Sequence, residues 1–165
     1  MPKVITFSTR FPQYHPKAGQ PTFFVEQILT NLIKQGIADT NCLKSDFVNI
    51  NALDVDRQKK HTIRKSNRFK VGDKFSPRIW SGVPYRSKQI IFANNIEVKK
   101  IWDIGIDIKA KYLKIGDYRV TSLDAAQEVF SKLSRNDGLA LPDFLNWFNE
   151  PFQGQIICWA DDVFY

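Results

Sequence analysis

The order of hydrophobic patterns along the chain constrains its fold more than any other feature of the sequence. A strand-like alternation over 3–11 precedes a helical stripe over 22–35, and several short strand-like runs follow between 74 and 120. Two helical patterns and an apolar run at 155–160 complete the chain. This order lacks the regular strand–helix alternation of a parallel α/β sheet. It predicts an α+β fold, a mostly antiparallel β-barrel with helices packed at its ends.

Two helices have recognisable beginnings in the sequence. Over 22–35 the apolar residues recur in adjacent pairs four apart, which predicts a helix with one broad buried face. Thr22 is predicted to cap its first turn, because a hydroxyl there can accept from a free backbone N–H. Thr121 or Ser122 is predicted to cap a second helix over 123–133 for the same reason.

Glycine and proline set expectations for three strands. Residues 46–50 are predicted to form a short strand, and 74–80 a strand that Pro77 restricts to an edge position or a bulge. Gly154 is predicted to break the chain before a strand at 155–160. That last run is almost continuously apolar, which is typical of a strand in the centre of a sheet.

A basic segment at 57–74 accounts for the charge of the chain. The sequence has 24 Lys and Arg against 17 Asp and Glu, a formal net charge of +7. This excess favours polyanionic partners such as RNA, nucleotides or an anionic membrane surface, although a solvated basic loop has the same composition. The segment contains one acid, Asp73, and eight cations: Arg57, Lys59, Lys60, Arg64, Lys65, Arg68, Lys70 and Lys74.

Within the basic segment, a lysine, a threonine and an arginine have spacings that suit chemistry. If 61–64 is extended, Thr62 and Arg64 lie on one face of the strand, with His61 and Ile63 on the other and Ile63 in the core. Burial can lower a lysine pKa by several units, so that Lys59 could take the threonine proton. The arginine fork suits phosphate or carboxylate. A local hydrogen bond at Thr62 and solvated lysines remain the simpler interpretation of these residues alone.

The sequence lacks the common motifs of cofactor and metal sites. It has two histidines, two distant cysteines and no glycine-rich phosphate loop, so we expect no metal and no cofactor. The first residues lack the apolar core of a signal peptide, and no apolar run reaches the ~20 residues of a membrane span. We therefore expect a cytoplasmic protein with no membrane partner.

Three stretches of the sequence resemble the ASCH domain. They are ITFSTRF at 5–11, KKHTIR at 59–64 and FKVGD at 69–73. ASCH domains are a branch of the PUA-like β-barrels that is associated with RNA binding, and the likeness is closest to short bacterial N4-acetylcytidine amidohydrolases. The resemblance implies a single PUA-like domain over 1–165 with a helical insertion at about 13–56.

The resemblance also implies roles for individual residues. Lys59 and Thr62 take the positions of the proposed catalytic lysine and threonine, and Asp137 that of a later glutamate. Arg57-Gln58 stands where the family usually has a glycine. The implied function is binding of RNA or a modified nucleoside or nucleotide in a basic cleft. Removal of an acyl group from N4-acetylcytidine-like nucleosides is the alternative, and an adaptor with a solubilising basic loop is a third interpretation. The predicted ligand-binding residues are Arg10, Arg64, Tyr85, Arg86 and Lys88.

Overall fold

A computed structural model describes residues 1–120 and 122–165 of the chain. These residues divide into two compact units, Met1–Lys59 with Gly72–Glu97 and Lys60–Val71 with Val98–Tyr165. The single-domain organisation over 1–165 stays a prediction. The described residues form nine strands in two sheets and three α-helices, which confirms the α+β class. Within these residues neither sheet closes into a barrel.

The elements follow each other along the chain in the predicted general order. The strands are β1 (Lys3–Thr6), β2 (His61–Arg64), β3 (Lys74–Trp80), β4 (Gln89–Ile91), β5 (Ile96–Glu97), β6 (Lys100–Asp107), β7 (Tyr112–Ile115), β8 (Tyr118–Val120) and β9 (Phe152–Cys158). The α-helices are α1 (Phe24–Lys34), α2 (Leu123–Asn136) and α3 (Leu141–Trp147).

Strand β3 is the centre of the sheet in the first unit. It pairs with β1 in parallel and with β4 and β5 in antiparallel fashion. The edge position predicted from Pro77 is therefore wrong. The ladder to β5 covers residues 74–75 and the ladder to β4 covers 78–80, so Pro77 lies between them. The Pro77 carbonyl accepts from Phe92 N at 3.2 Å, on the side of β3 where β4 and β5 lie. Its nitrogen faces the same side, between the two ladders, so the missing N–H removes no ladder hydrogen bond.

Helix α1 is shorter than predicted at its beginning. It starts at Phe24, and its N-cap is Phe23, which has a left-handed φ of 57° and makes no side-chain cap bond. Thr22 instead donates its hydroxyl to Ser8 O at 2.7 Å, and Phe24 N lies 3.5 Å from the same hydroxyl. The predicted apolar face is confirmed, because Ile28 and its neighbours along the stripe are buried.

The strand predicted at 46–50 is wrong. The structure has short 3-10 helices at Thr40–Lys44 and Ile50–Ala52. Asp39 accepts from Asn41 N at 2.7 Å, and Asn49 accepts from Asn51 N at 3.1 Å. Side chains of this kind compete for the backbone donors that a strand needs, and they favour turns.

The sheet of the second unit has the order β2-β9-β6-β7-β8, and all of its pairs are antiparallel. The central position predicted for the last strand is confirmed. The break predicted at Gly154 is wrong, because β9 continues through this residue and begins at Phe152. A Cβ atom on Gly154 would lie 2.0 Å from Arg64 O, so the glycine permits a close approach of two backbones.

Helix α2 of the second unit begins as predicted, and its C-cap is Asp137, one of the predicted catalytic residues. Ser122 caps it by accepting from Ala125 N at 3.4 Å, whereas Thr121 lies outside the described residues. The helix ends at Asn136, and Asp137 is its C-cap, followed by Gly138 with a φ of 79°. Glycine in this left-handed position is a common end of a helix.

Of the helices in residues 1–120 and 122–165, none combines the length and the apolar character that crossing a membrane requires.

Candidate functional site

Lys59 is buried at the end of the first segment of the first unit. Only 2% of it is exposed, and its Nζ lies 4.1 Å from the centroid of the Phe24 ring. A cation over an aromatic face is attracted by the ring quadrupole. The residue before it, Gln58, accepts from Asn31 Nδ2 at 2.9 Å and donates to Val55 O at 2.7 Å. Helix α1 therefore fixes the position of the residue next to Lys59. The interpretation that Lys59 is solvated is wrong, because the residue is buried.

Strand β2 carries two buried polar residues of the motif, His61 and Thr62. They are 0% and 4% exposed. As neighbours in a strand they direct their side chains to opposite faces of the sheet, as the sequence predicts. The predicted core position of Ile63 is wrong, because its side chain is only half-buried. Since β2 is the last strand of its sheet, residue 63 has a neighbouring strand on one side only.

Asp137 is buried beside His61. It is 5% exposed, and its Oδ1 lies 3.6 Å from His61 Nδ1. The backbone explains this placement: Lys60 N donates to Asn136 O at 2.8 Å, and Trp159 N donates to Lys60 O at 3.2 Å. The start of the motif strand is therefore hydrogen-bonded both to the end of α2 and to the residue that follows β9.

Tyr165 completes a polar cluster that sequence reasoning missed. Its hydroxyl accepts from Asn136 Nδ2 at 3.0 Å and lies 2.7 Å from His61 Nε2. Burial raises the pKa of the Tyr165 hydroxyl, so the phenol keeps its proton and can donate it to Nε2. An imidazole that accepts at Nε2 carries its own proton on Nδ1, the atom that faces Asp137. Tyr165 and His61 are 104 positions apart, and no local pattern links them.

Arg64 shares its sheet face with Thr62, as the sequence predicts. The register pairs Thr62 with Ile157 and Arg64 with Gln155. Gln155 is buried, and its side-chain amide bonds to the Phe69 backbone at 3.2 Å in both directions. These bonds hold Phe69, the first residue of the FKVGD stretch, against β9, an interior strand of its sheet.

The other predicted ligand-binding residues belong to the first unit. Arg10 is exposed, and its Nη1 donates to Gly19 O at 2.7 Å. Tyr85 is 89% exposed with a φ of 63°, and its ring lies 5.2 Å from that of Trp80. Arg86 and Lys88 are exposed in the same loop, which Ser81 N closes by donating to Lys88 O at 2.8 Å. The loop presents an aromatic ring and two cations to solvent.

Near β9, two aspartates form ion pairs with lysines and one cysteine is buried. Asp161 pairs with Lys99 at 2.5 Å, and Asp162 pairs with Lys60 at 2.6 Å. Cys158 is fully buried, and burial raises the pKa of its thiol to about 11. Within residues 1–120 and 122–165, no group of three or more His, Cys, Asp or Glu side chains is arranged to hold a metal ion.

Comparisons with known proteins found no match to a family model, to a curated protein or to a solved structure. The likeness to the ASCH domain therefore depends on the motif residues at 5–11, 59–64 and 69–73.

Proposed function

We propose that the chain is a PUA-like ASCH protein that binds RNA or a modified nucleoside or nucleotide through its basic motif segment. The observation that carries this proposal is the burial of polar residues in and around the motif. Lys59, His61, Thr62 and Asp137 are each at most 5% exposed. Such burial is costly unless the groups are paired or serve a ligand, and a basic loop that only solubilises the protein has no need of it.

The surface charge fits a polyanionic ligand. Five of the eight cations in 57–74 are exposed: Arg57, Lys65, Arg68, Lys70 and Lys74. Lys and Arg contacts to phosphates position a nucleic acid without reading its sequence. The exposed Tyr85 ring, with Arg86 and Lys88 beside it in the sequence, offers a stacking surface and two further phosphate contacts.

Fluorescence anisotropy with a labelled 12-nucleotide single-stranded RNA tests the binding proposal. We expect the logarithm of affinity to fall linearly with the logarithm of salt concentration, since phosphate contacts release counterions. Arg86→Ala and Lys88→Ala should each lower the slope by about one for each phosphate contact removed. Lys109→Ala is the matched control, because Lys109 is an exposed lysine that faces Glu150 at 3.9 Å. Affinity that does not change with salt would contradict the proposal.

The alternative activity is amide hydrolysis on N4-acetylcytidine-like nucleosides, and the burial of Lys59 favours it. A desolvated lysine has a lower pKa and can act as a base. In this mechanism Lys59 takes the proton of Thr62, whose Oγ attacks the acetyl carbonyl. The C–N bond then breaks as Asp137 protonates the leaving amine, and water hydrolyses the acyl-threonine to acetate. His61, which faces the Asp137 carboxylate, would position that acid.

Incubation of purified protein with N4-acetylcytidine, followed by chromatography for cytidine, tests the hydrolase alternative. Thr62→Ala and Lys59→Met should abolish product formation, whereas Thr62→Ser keeps a hydroxyl and should retain part of it. Lys59→Met keeps the length of the side chain, so thermal unfolding can separate loss of the base from loss of the fold. Cytidine release that persists in Thr62→Ala would exclude this mechanism.

A further inference from the structure

A groove of about 470 Å³ lies on the sheet of the second unit. Its polar lining includes Lys65, Asn67, Asp103, Tyr112, Lys114 and Gln153. The register places Gln153 opposite Gly105 and Gly105 opposite Lys114, so these residues form one row across β9, β6 and β7. Paired residues of an antiparallel ladder share a face, and the groove is therefore a surface of the sheet itself.

An aromatic ring forms part of the groove wall. A Cβ atom on Gly105 would lie 3.3 Å from Tyr112 Cε1, which shows that the ring rests on the glycine backbone. Tyr112 is half-buried and lines the groove, so the rest of its ring surface is open to a ligand. A tyrosine fixed in this way can stack a planar base at little further entropy cost.

Two cations, Lys65 and Lys114, line the groove together with this ring. Gly154 lets the backbone of Arg64 and Lys65 pass close to the sheet, because a Cβ atom there would be 2.9 Å from Lys65 Cα. In the ladder between β7 and β8, Lys114 pairs with Arg119, which is exposed. The row from β9 to β8 spans about 14 Å, three strand spacings of about 4.8 Å.

The groove lies on the same face of the sheet as two residues of the motif strand, Thr62 and Arg64. Arg64 pairs with Gln155, and Gln155 pairs with Asp103, which lines the groove two residues before Gly105. Residues two apart in a strand share a face, so Thr62 and Arg64 lie on the same side of the sheet as the groove.

We propose that the groove binds a segment of single-stranded RNA next to the nucleotide held at the motif. A base stacks on Tyr112, Lys65 and Lys114 contact the flanking phosphates, and Asp103 accepts from an amino group of a base. The groove lining has two cations, Lys65 and Lys114, against one acid, Asp103, and Arg119 pairs with Lys114 next to the lining. This charge suits a phosphate chain, and an aromatic ring on a β-sheet suits sequence-tolerant stacking. This inference rests on the proposed nucleic-acid ligand and adds a second contact surface to it.

Anisotropy titrations with the labelled 12-nucleotide RNA, and with a 12-base-pair RNA duplex, test the groove. We expect Tyr112→Ala to weaken single-strand binding about 5- to 150-fold and Tyr112→Phe to leave it nearly unchanged, since stacking needs only the ring. Lys114→Ala should lower the salt slope by about one. Tyr118→Ala is the control, because Tyr118 is exposed and borders a different cavity of the second unit.

The outcomes separate this inference from the proposed function. Wild-type binding that Tyr112→Ala and Lys114→Ala leave unchanged overturns the groove and leaves the motif site standing. A duplex bound as tightly as the single strand also overturns the groove, because paired bases cannot stack on Tyr112. No binding of either RNA by the wild type contradicts the proposed function itself. Thermal unfolding of each variant shows whether the sheet is intact.

Discussion

Replacement of Gly154 by alanine should loosen the pairing of β2 with β9. The new Cβ atom would lie 2.0 Å from Arg64 O, whereas such contacts essentially never fall below 3.0 Å, so one backbone must move by about 1 Å. Overpacking of this kind costs about 1–3 kcal/mol. Losing one hydrogen bond of the ladder adds about 0.5–1.5 kcal/mol. We therefore expect a free energy of unfolding lower by about 1.5–4.5 kcal/mol and a Tm lower by about 3–18 °C.

Urea unfolding and thermal melts followed by circular dichroism measure this loss. Gly105→Ala is the matched control, because its Cβ atom would meet Tyr112 Cε1 at 3.3 Å, a side-chain atom that can move. We expect it to cost less than about 1 kcal/mol. Equal losses in the two variants, or a Gly154→Ala protein as stable as the wild type, would refute the close approach of Arg64 to β9.

Three further predictions concern Tyr165 and the two thiols of the chain. Tyr165→Phe removes the hydroxyl that accepts from Asn136 and lies 2.7 Å from His61, and it should lower the free energy of unfolding by about 1–3 kcal/mol in urea titrations. Burial raises the pKa of Cys158 from its ordinary 9.0 to about 11, so the contribution of this thiol to stability should be constant below pH 9 and fall as pH rises from 9 to 11. The loss of stability over that range should be less steep in Cys158→Ala. Iodoacetamide at pH 8 should label the partly exposed Cys42 in the native protein and Cys158 only after unfolding, as peptide mass spectrometry would show; equal rates would contradict the burial.

Local patterns in the sequence were sufficient for the class of the fold. Helix α1 was predictable because its apolar residues repeat at the helical period, and β9 because its apolar run is too continuous for an edge strand. The errors at Pro77 and Gly154 have a common cause. Each residue breaks a local rule for strands, and each is accommodated by a partner that is distant in the sequence: two separated ladders at Pro77 and the Arg64 carbonyl at Gly154.

The site was predictable as a set of residue types but not as an arrangement. The spacing of Lys59 and Thr62 is visible in the sequence, yet the burial of Lys59 against Phe24 depends on a helix more than thirty positions earlier. The contact of His61 with Tyr165 is likewise non-local. No periodicity can reveal such a pair, because strand alternation fixes the face of a side chain and leaves its partner on that face open.

The position of Asp137 favours one of the two proposed functions, nucleic-acid or nucleoside binding, over amide hydrolysis. Its carboxylate lies 3.6 Å from His61, whose side chain points to the face of β2 opposite Thr62. A group on the His61 face reaches a ligand at Thr62 only past the edge of β2. Within residues 1–120 and 122–165, β2 is an edge strand of its sheet, so no further strand of that sheet lies there. A carboxylate in this place needs one hydrogen bond to recognise an amino group of a base. Catalysis demands more, since reacting atoms must align within about 3–3.5 Å. We therefore propose binding ahead of hydrolysis.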